Sequence, residues 1–316
     1  MLRPRHMFVT AALAGPVAVL VLSACSSSAD SDAGNNLPNT PVKPSSAAAG
    51  KLGIVAAENF WGNIAQQIGG ARVQVTSIIS NPETDPHEYE TNARDGAAIA
   101  GASFVIENGA GYDSFVDKLL KASPKSDREV LTVADVVGAK GDVNPHLWYK
   151  PAYVTQAAQA IEAQLEKEDP AHAAAYKANL ASFGTGEQQV TDVIDQIKAK
   201  HAGDKIAYTE RVPGYLIEAA GLQLGTPASF SQSIEDGSDP SPADNAAFQL
   251  ALKKHTVKAL LYNAQVTSPT TQKLKSLATS SGVPVVGVTE TLPPNEKDFQ
   301  TWQADQARAL LTALGG

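Results

Sequence analysis

Two histidines of this chain stand in matched settings, Asp85-Pro86-His87-Glu88-Tyr89 and Asn144-Pro145-His146-Leu147-Trp148. Two glutamates close runs that read as strands, Glu210 after Lys205-Ile206-Ala207-Tyr208-Thr209 and Glu290 after Val283 to Thr289. Each histidine also follows a predicted strand at its carboxyl end, the edge at which open parallel sheets hold ligands. Two imidazoles and two carboxylates converging across a crevice make a mixed nitrogen and oxygen donor set, suited to a divalent transition metal. Such a set needs neutral imidazole and ionised carboxylate, so affinity falls as pH drops through the histidine range, near 6–6.5 for an unperturbed group. The other four histidines read differently: His6 lies near the amino terminus, and His172, His201 and His255 sit in helical or turn contexts and read as solvated.

The same donors could activate a water molecule in an exported metal hydrolase. Against that reading, four protein ligands saturate a tetrahedral ion and leave no open position. The chain has no H-E-x-x-H and no G-x-S-x-G, and Gly109-Ala110-Gly111 lacks the third glycine of a dinucleotide fingerprint. An adhesin or purely structural lipoprotein would not need matched Pro-His loops.

The elements that must position these residues are legible as an alternation. Short β-branched runs alternate with Ala-rich amphipathic stretches from Lys51 onward, a pattern of βα units and a mostly parallel sheet. One set of strands is predicted at Leu52–Ala57, Val73–Ile79, Phe104–Glu107 and Val130–Val133, and a second at Lys205–Thr209, Leu222–Gly225, Val257–Tyr262 and Val283–Val288. Asp169-Pro170 is a helix-start signal. Beyond it Tyr176, Leu180, Phe183, Val190, Ile194 and Ile197 form one apolar stripe that misses a beat at Glu187. Gly184 and Gly186 weaken this helix by about 1 kcal/mol each relative to Ala. Continuous from Pro170 to Lys200 it would span about 45 Å, a spine for two lobes. The expected fold is therefore α/β, two small lobes of about four strands with flanking helices, residues 51–168 and 202–316, joined by a long helix over 169–201.

Composition agrees. Of 316 residues 43% are hydrophobic and 18% charged, with a single cysteine, which excludes a disordered chain and a disulfide scaffold. The formal charge is −8, or −10 without Arg3 and Arg5, so no electrostatic footprint for nucleic acid is present. Residues 1–24 read as an export signal: a basic head at Arg3, Arg5 and His6, an apolar body, and Leu22-Ser23-Ala24 before Cys25. The apolar run Met7 to Leu22 is short for a spanning helix and contains Gly15-Pro16. Cys25 after Leu-Ser-Ala resembles the bacterial lipoprotein signal, in which that cysteine is lipidated and becomes the first residue. The Ser-, Ala- and Asn-rich stretch to Gly50 makes 25–50 a flexible tether, with an end-to-end distance of order 25–30 Å.

Over nearly all of Lys51 to Leu314 the chain resembles the ABC-transporter solute-binding lipoproteins for manganese and zinc. The resemblance rests on Asp85-Pro86-His87-Glu88-Tyr89-Glu90, Asn108-Gly109-Ala110-Gly111-Tyr112-Asp113-Ser114-Phe115, Asn144-Pro145-His146-Leu147-Trp148 and Thr209-Glu210. It implies His87, His146, Glu210 and Glu290 as ligands of one divalent metal, and two α/β lobes joined by a rigid helix. It also implies a monomeric, non-enzymatic binder anchored through Cys25 to the outer face of the bacterial membrane. Delivery would be to a separate permease and ATPase, since the chain has no ATP-binding loop and no spanning helix of its own. Family members with a carboxylate at the Glu210 position lean towards manganese, and the His-rich loop of many zinc members is absent here, which places Mn²⁺ slightly ahead of Zn²⁺. Two positions depart from the family. Glu290 stands where Asp is usual, so either its loop retreats or its coordination mode changes. Lys150 stands where Asp precedes Pro, so no helix-capping or supporting role carries over to it.

Overall fold

β-Branched runs flanked by Ala-rich helices bury their strands on both faces, and eight such runs form two parallel sheets. The computed structural model describes residues 50–316, apart from Glu83, Asp85 and the side chain of His87; the expected export signal, Cys25 and nearly all of the expected tether lie outside the described residues. The first sheet contains β1 (Leu52–Glu58), β2 (Val73–Ile79), β3 (Phe104–Glu107) and β4 (Glu129–Thr132), in the order β2-β1-β3-β4. The second contains β5 (Lys205–Tyr208), β6 (Gln223–Leu224), β7 (Leu260–Asn263) and β8 (Val285–Val288), in the order β6-β5-β7-β8. All pairings are parallel, and the two orders are the same pattern repeated. The predicted strands are all present, shifted by up to three residues at their ends.

Helices α1 (Asn59–Gly69), α2 (Ala93–Gly101), α3 (Phe115–Ala122), α4 (Val133–Val136) and α5 (Pro151–Glu168) precede the long α6 (Ala173–His201). Then follow α7 (Gly214–Ala219), α8 (Ala228–Glu235), α9 (Pro242–Lys253), α10 (Pro269–Ser280) and α11 (Phe299–Ala313). Strand periodicity assigns side chains to layers. In β1, Ile54 and Ala56 join a core shared with Trp61, Ile161, Ile194, Ile206, Val286 and Trp302, so that both sheets and the long helix contribute to one apolar interior. The alternate residues Val55 and Ala57 turn to the other face and pack with Ile99, Val116 and Leu119. In the second sheet Leu261 faces the shared core, while Leu260 packs with Phe230, Phe248 and Leu274. Among the described residues no helix is long and apolar enough to cross a membrane.

The 29 residues of α6 run without a break for about 43 Å, preceded by a 3₁₀ turn at Pro170–His172. Gly184 and Gly186 do not interrupt it: a Cβ at Gly184 would meet nothing within 4 Å, and one at Gly186 would lie 3.2 Å from Gln300 of α11. Glu187 does not interrupt the buried stripe either but belongs to it, at 5% exposure. Asp169 does not cap a backbone N–H as predicted; its Oδ2 accepts from the Tyr176 hydroxyl at 2.8 Å and lies 2.7 Å from Nδ1 of His172. The reading of three solvated histidines needs correction, because only His255 is exposed, whereas His172 and His201 are partly covered and pair with Asp169 and Asp204. Lys150 places Nζ over the rings of Tyr153 and Tyr215, at 4.3 and 5.0 Å.

Candidate metal centre

The polar residues lie beyond the carboxyl ends of the strands, and their burial is unusual for such side chains; His146 does not leave a strand directly as predicted, because α4 follows β4 and stands between that strand and the histidine. His146, Glu210 and Glu290 are exposed by 0%, 1% and 0%. His146 precedes a 3₁₀ turn, Leu147–Tyr149, whose residues are all buried in the shared core. Trp148 stacks on Phe60 at 4.0 Å and meets the imidazole edge-on at 5.2 Å. The imidazole is therefore held by apolar packing on one side and by hydrogen bonds on the other. Its Nδ1 lies 2.7 Å from Oδ1 of Asn144, which also accepts the His146 backbone N–H at 3.1 Å. Since that oxygen can only accept, Nδ1 carries a proton and Nε2 is the ring nitrogen turned toward Glu290. Nε2 lies 3.5 Å from Oε2 of Glu290.

Glu290 is reached from both sheets. The Tyr112 hydroxyl donates to its Oε2 at 2.8 Å, and Asn263 Nδ2 donates to its Oε1 at 2.7 Å. The same amide nitrogen donates to Oε2 of Glu210, so two buried carboxylates converge on one NH₂ group. Asn263 ends β7, and its backbone N–H donates to Thr209 Oγ1 at 3.1 Å, beside Glu210. Burial, and next the Glu290 charge, push the Tyr112 hydroxyl well above its ordinary pKa, so it remains a donor. Gln265 completes the frame: its Oε1 accepts the N–H groups of Glu290 and Thr291, and its Nε2 donates to the carbonyl of Pro82 at 2.8 Å, four residues before the start of the Pro86–Glu88 turn. The main chain of His87 lies in that turn.

Behind Tyr112 lies a second acidic group. Glu58, at the end of β1, is wholly buried and held well above the usual carboxylate range, first by burial and then by Asp113. Asp113 is pushed up to about 7, chiefly by burial and then by Glu107. Acceptance of the Asn108 and Gly109 N–H groups at 2.5 and 2.8 Å works in the opposite direction. The loop that places both Tyr112 and Asp113 is left-handed at Gly109, Ala110 and Gly111 (φ 72°, 54° and 83°). A Cβ at Gly109 would lie 2.6 Å from Thr132 Cγ2, so this position requires glycine on two grounds.

The structure thus brings His146, Glu210 and Glu290 to one buried place. They do not form a closed cage. Among the described residues no three His, Cys, Asp or Glu side chains are gathered tightly enough to hold an ion, and the Asn263 amide stands between the two glutamates. A groove of about 710 Å³ leads to Glu210, and Glu88, Glu235, Asp236 and Asp239 give it an acidic lining. Low-dielectric walls lined by one sign of charge concentrate counter-ions, here cations. Of the acids, Glu235 is neutralised by Arg211 through two hydrogen bonds of 2.9 and 2.7 Å.

Sequence reasoning missed Asn144, Asn263 and Gln265 and gave Tyr112 no task. The signal for Asn263 was the one that found the glutamates, a polar residue leaving a strand, but the predicted strand stopped at Tyr262. Nothing local distinguishes Gln265 from an ordinary loop glutamine.

The sequence model of the family described as "Zinc-uptake complex component A periplasmic" matches residues 54–313. The manganese-binding lipoprotein MntA of Halalkalibacterium halodurans is 27% identical over 202 residues, 58% of this chain and 66% of that protein. The manganese ABC transporter substrate-binding lipoprotein PsaA of Streptococcus mitis is 23% identical over 288 residues, 85% of each chain. Among solved structures, the periplasmic zinc-binding protein TroA of Treponema pallidum superimposes with a TM-score of 0.72 at 15% identity, covering 84% of this chain and 99% of that one. That superposition shows a shared fold.

Proposed function

This chain belongs to the periplasmic zinc-uptake component A family, and from that premise we propose that it captures one divalent transition metal outside the cytoplasmic membrane and delivers it to an ABC importer. His87, His146, Glu210 and Glu290 are the ligands in this reading. The observation that carries it is the convergence of two buried carboxylates that follow different strands on a single amide, with the imidazole Nε2 of His146 3.5 Å from one of them. Buried carboxylates are costly unless paired or metal-bound, and a doubly charged cation offsets two of them far better than one amide dipole can. Capture then requires the Asn263 NH₂ group to yield its place between the glutamates. The acidic groove at Glu210 supplies the approach, and the imidazole, oriented in advance by Asn144, meets the ion with its Nε2.

The relatives are named as manganese and metal-binding lipoproteins of ABC transporters, and the same role here requires a permease, an ATPase subunit and anchorage at Cys25. The exported-hydrolase alternative gains nothing from these relatives. Two hard carboxylates allow five- or six-coordination and favour Mn²⁺ slightly over Zn²⁺ as cargo, although Zn²⁺ binds the same donors more tightly in vitro by the Irving–Williams order. Titration calorimetry of the chain from Lys51 onward with Mn²⁺ and Zn²⁺ tests the site: one ion per chain is expected, and wild-type affinity in His146→Ala or Glu210→Ala sinks the assignment. Cargo is read from cells, where a deletion strain that loses zinc with its manganese unchanged overturns the manganese preference.

A further inference from the structure

Asn144 uses both the oxygen and the nitrogen of its side-chain amide, and it uses them on both halves of the centre. Its Oδ1 accepts from Nδ1 and from the backbone N–H of His146. Its Nδ2 donates to the carbonyl of Arg211 at 2.8 Å, one residue beyond Glu210. Its own carbonyl accepts the Tyr215 hydroxyl at 3.0 Å, at the start of α7. The chain around it is shaped for this contact: a Cβ at Gly214 would lie 2.6 Å from Asn144 Nδ2, so any larger residue there would push the amide off Arg211.

We infer that Asn144 is a positioning residue that sets the tautomer of His146 and straps the His146 loop to the Glu210–Arg211 segment, so that imidazole and carboxylate are presented to a cation as one preassembled pair. This rests on the proposed assignment of His146 and Glu210 as ligands. The chemistry needs an amide. A carboxylate at this position keeps the acceptor for Nδ1–H but sets an anion against the Arg211 carbonyl, and alanine loses all three side-chain bonds. Outer-shell partners of a ligating imidazole are worth about 10–100-fold in metal affinity, and the strap adds preorganisation, which lowers the ordering cost of binding.

The test uses the metal alone, Mn²⁺ and Zn²⁺ in chelator competition, with ¹⁵N-imidazole NMR of the metal-free protein as a second readout. Asn144→Ala is expected to weaken both metals by about 10–100-fold and to shift His146 from a single Nδ1–H tautomer to a mixture. Asn144→Asp is expected to keep the tautomer yet lose affinity. Gly214→Ala, which changes no ligand and no donor, is expected to lose affinity in the same direction by less, and to add little when combined with Asn144→Ala, because both act on one bond. Wild-type affinity and tautomer in Asn144→Ala overturn the inference, as does full additivity of the Gly214→Ala and Asn144→Ala losses. His146→Ala is the control: if it binds metal normally the ligand reading has failed, whereas its loss beside an unaffected Asn144→Ala condemns the strap alone.

Discussion

Glu290 and Glu187 are both acids removed from water, at 0% and 5% exposure, and the molecule treats them oppositely. Glu290 receives the Tyr112 hydroxyl, the Asn263 amide and a Gln265-bound backbone, and it has an imidazole 3.5 Å away. Glu187, in the middle of α6, has an Oε2 that accepts nothing, and burial alone pushes its pKa up to about 8. Burial alone therefore does not tell the two apart. What separates Glu290 is the donors aimed at its oxygens, since hydrogen bonds to a carboxylate favour its charged form in a dry interior.

The comparison is sharpened by making the same substitution at both positions. Glu187 is protonated in both states below about 4.5; between there and about 8 unfolding releases its proton, so its contribution to stability falls as pH rises and is least favourable above about 8. Glu187→Gln should therefore stabilise the protein at pH 8–9, by up to about 5 kcal/mol for a rise from 4.5 to about 8, and by little at pH 4.5. Melting temperatures across this range check it, and a pH-independent difference breaks the contrast. Metal affinity should be unchanged in that variant.

Glu290→Gln should do the reverse, weakening metal binding by about 10³-fold, or about 4 kcal/mol, a loss read by chelator competition. Tyr112→Phe removes one donor and no ligand, and should cost about tenfold in affinity; an unchanged affinity would mean that the hydroxyl only packs. The smallest effects belong to the two glycines of α6. Gly184→Ala, with open space at its Cβ, should stabilise by up to about 1 kcal/mol through helix propensity, and Gly186→Ala by less because Gln300 lies 3.2 Å away. Denaturant midpoints resolve the pair, and equal gains would show that Gln300 moves aside freely.

The regularities of α/β structure were open to reading because they are local. Strand runs, the Asp169-Pro170 boundary and the stripe along α6 follow from periodicities of two and 3.6, which each segment carries in its own residues. The same locality exposed Glu210 and Glu290, since a strand exit is a position in sequence before it is a position in space, whereas His146 was marked by its Pro-His setting and lies beyond α4. It could not expose Glu187 as part of the buried stripe, because a carboxyl breaks the pattern of polarity and only its packing in the interior shows where it points.

What the sequence alone determined is the type of chemistry available, two imidazoles in Pro-His settings and two carboxylates just past strands, and the αβ framework that carries them. Tertiary structure decided which groups meet. Asn144 touching Arg211, 67 residues away, and Tyr112 touching Glu290, 178 residues away, are contacts between sequence-remote segments. No local propensity encodes them; they exist because the two sheets and α6 share one core, whose packing fixes the strand ends to within hydrogen-bond distance.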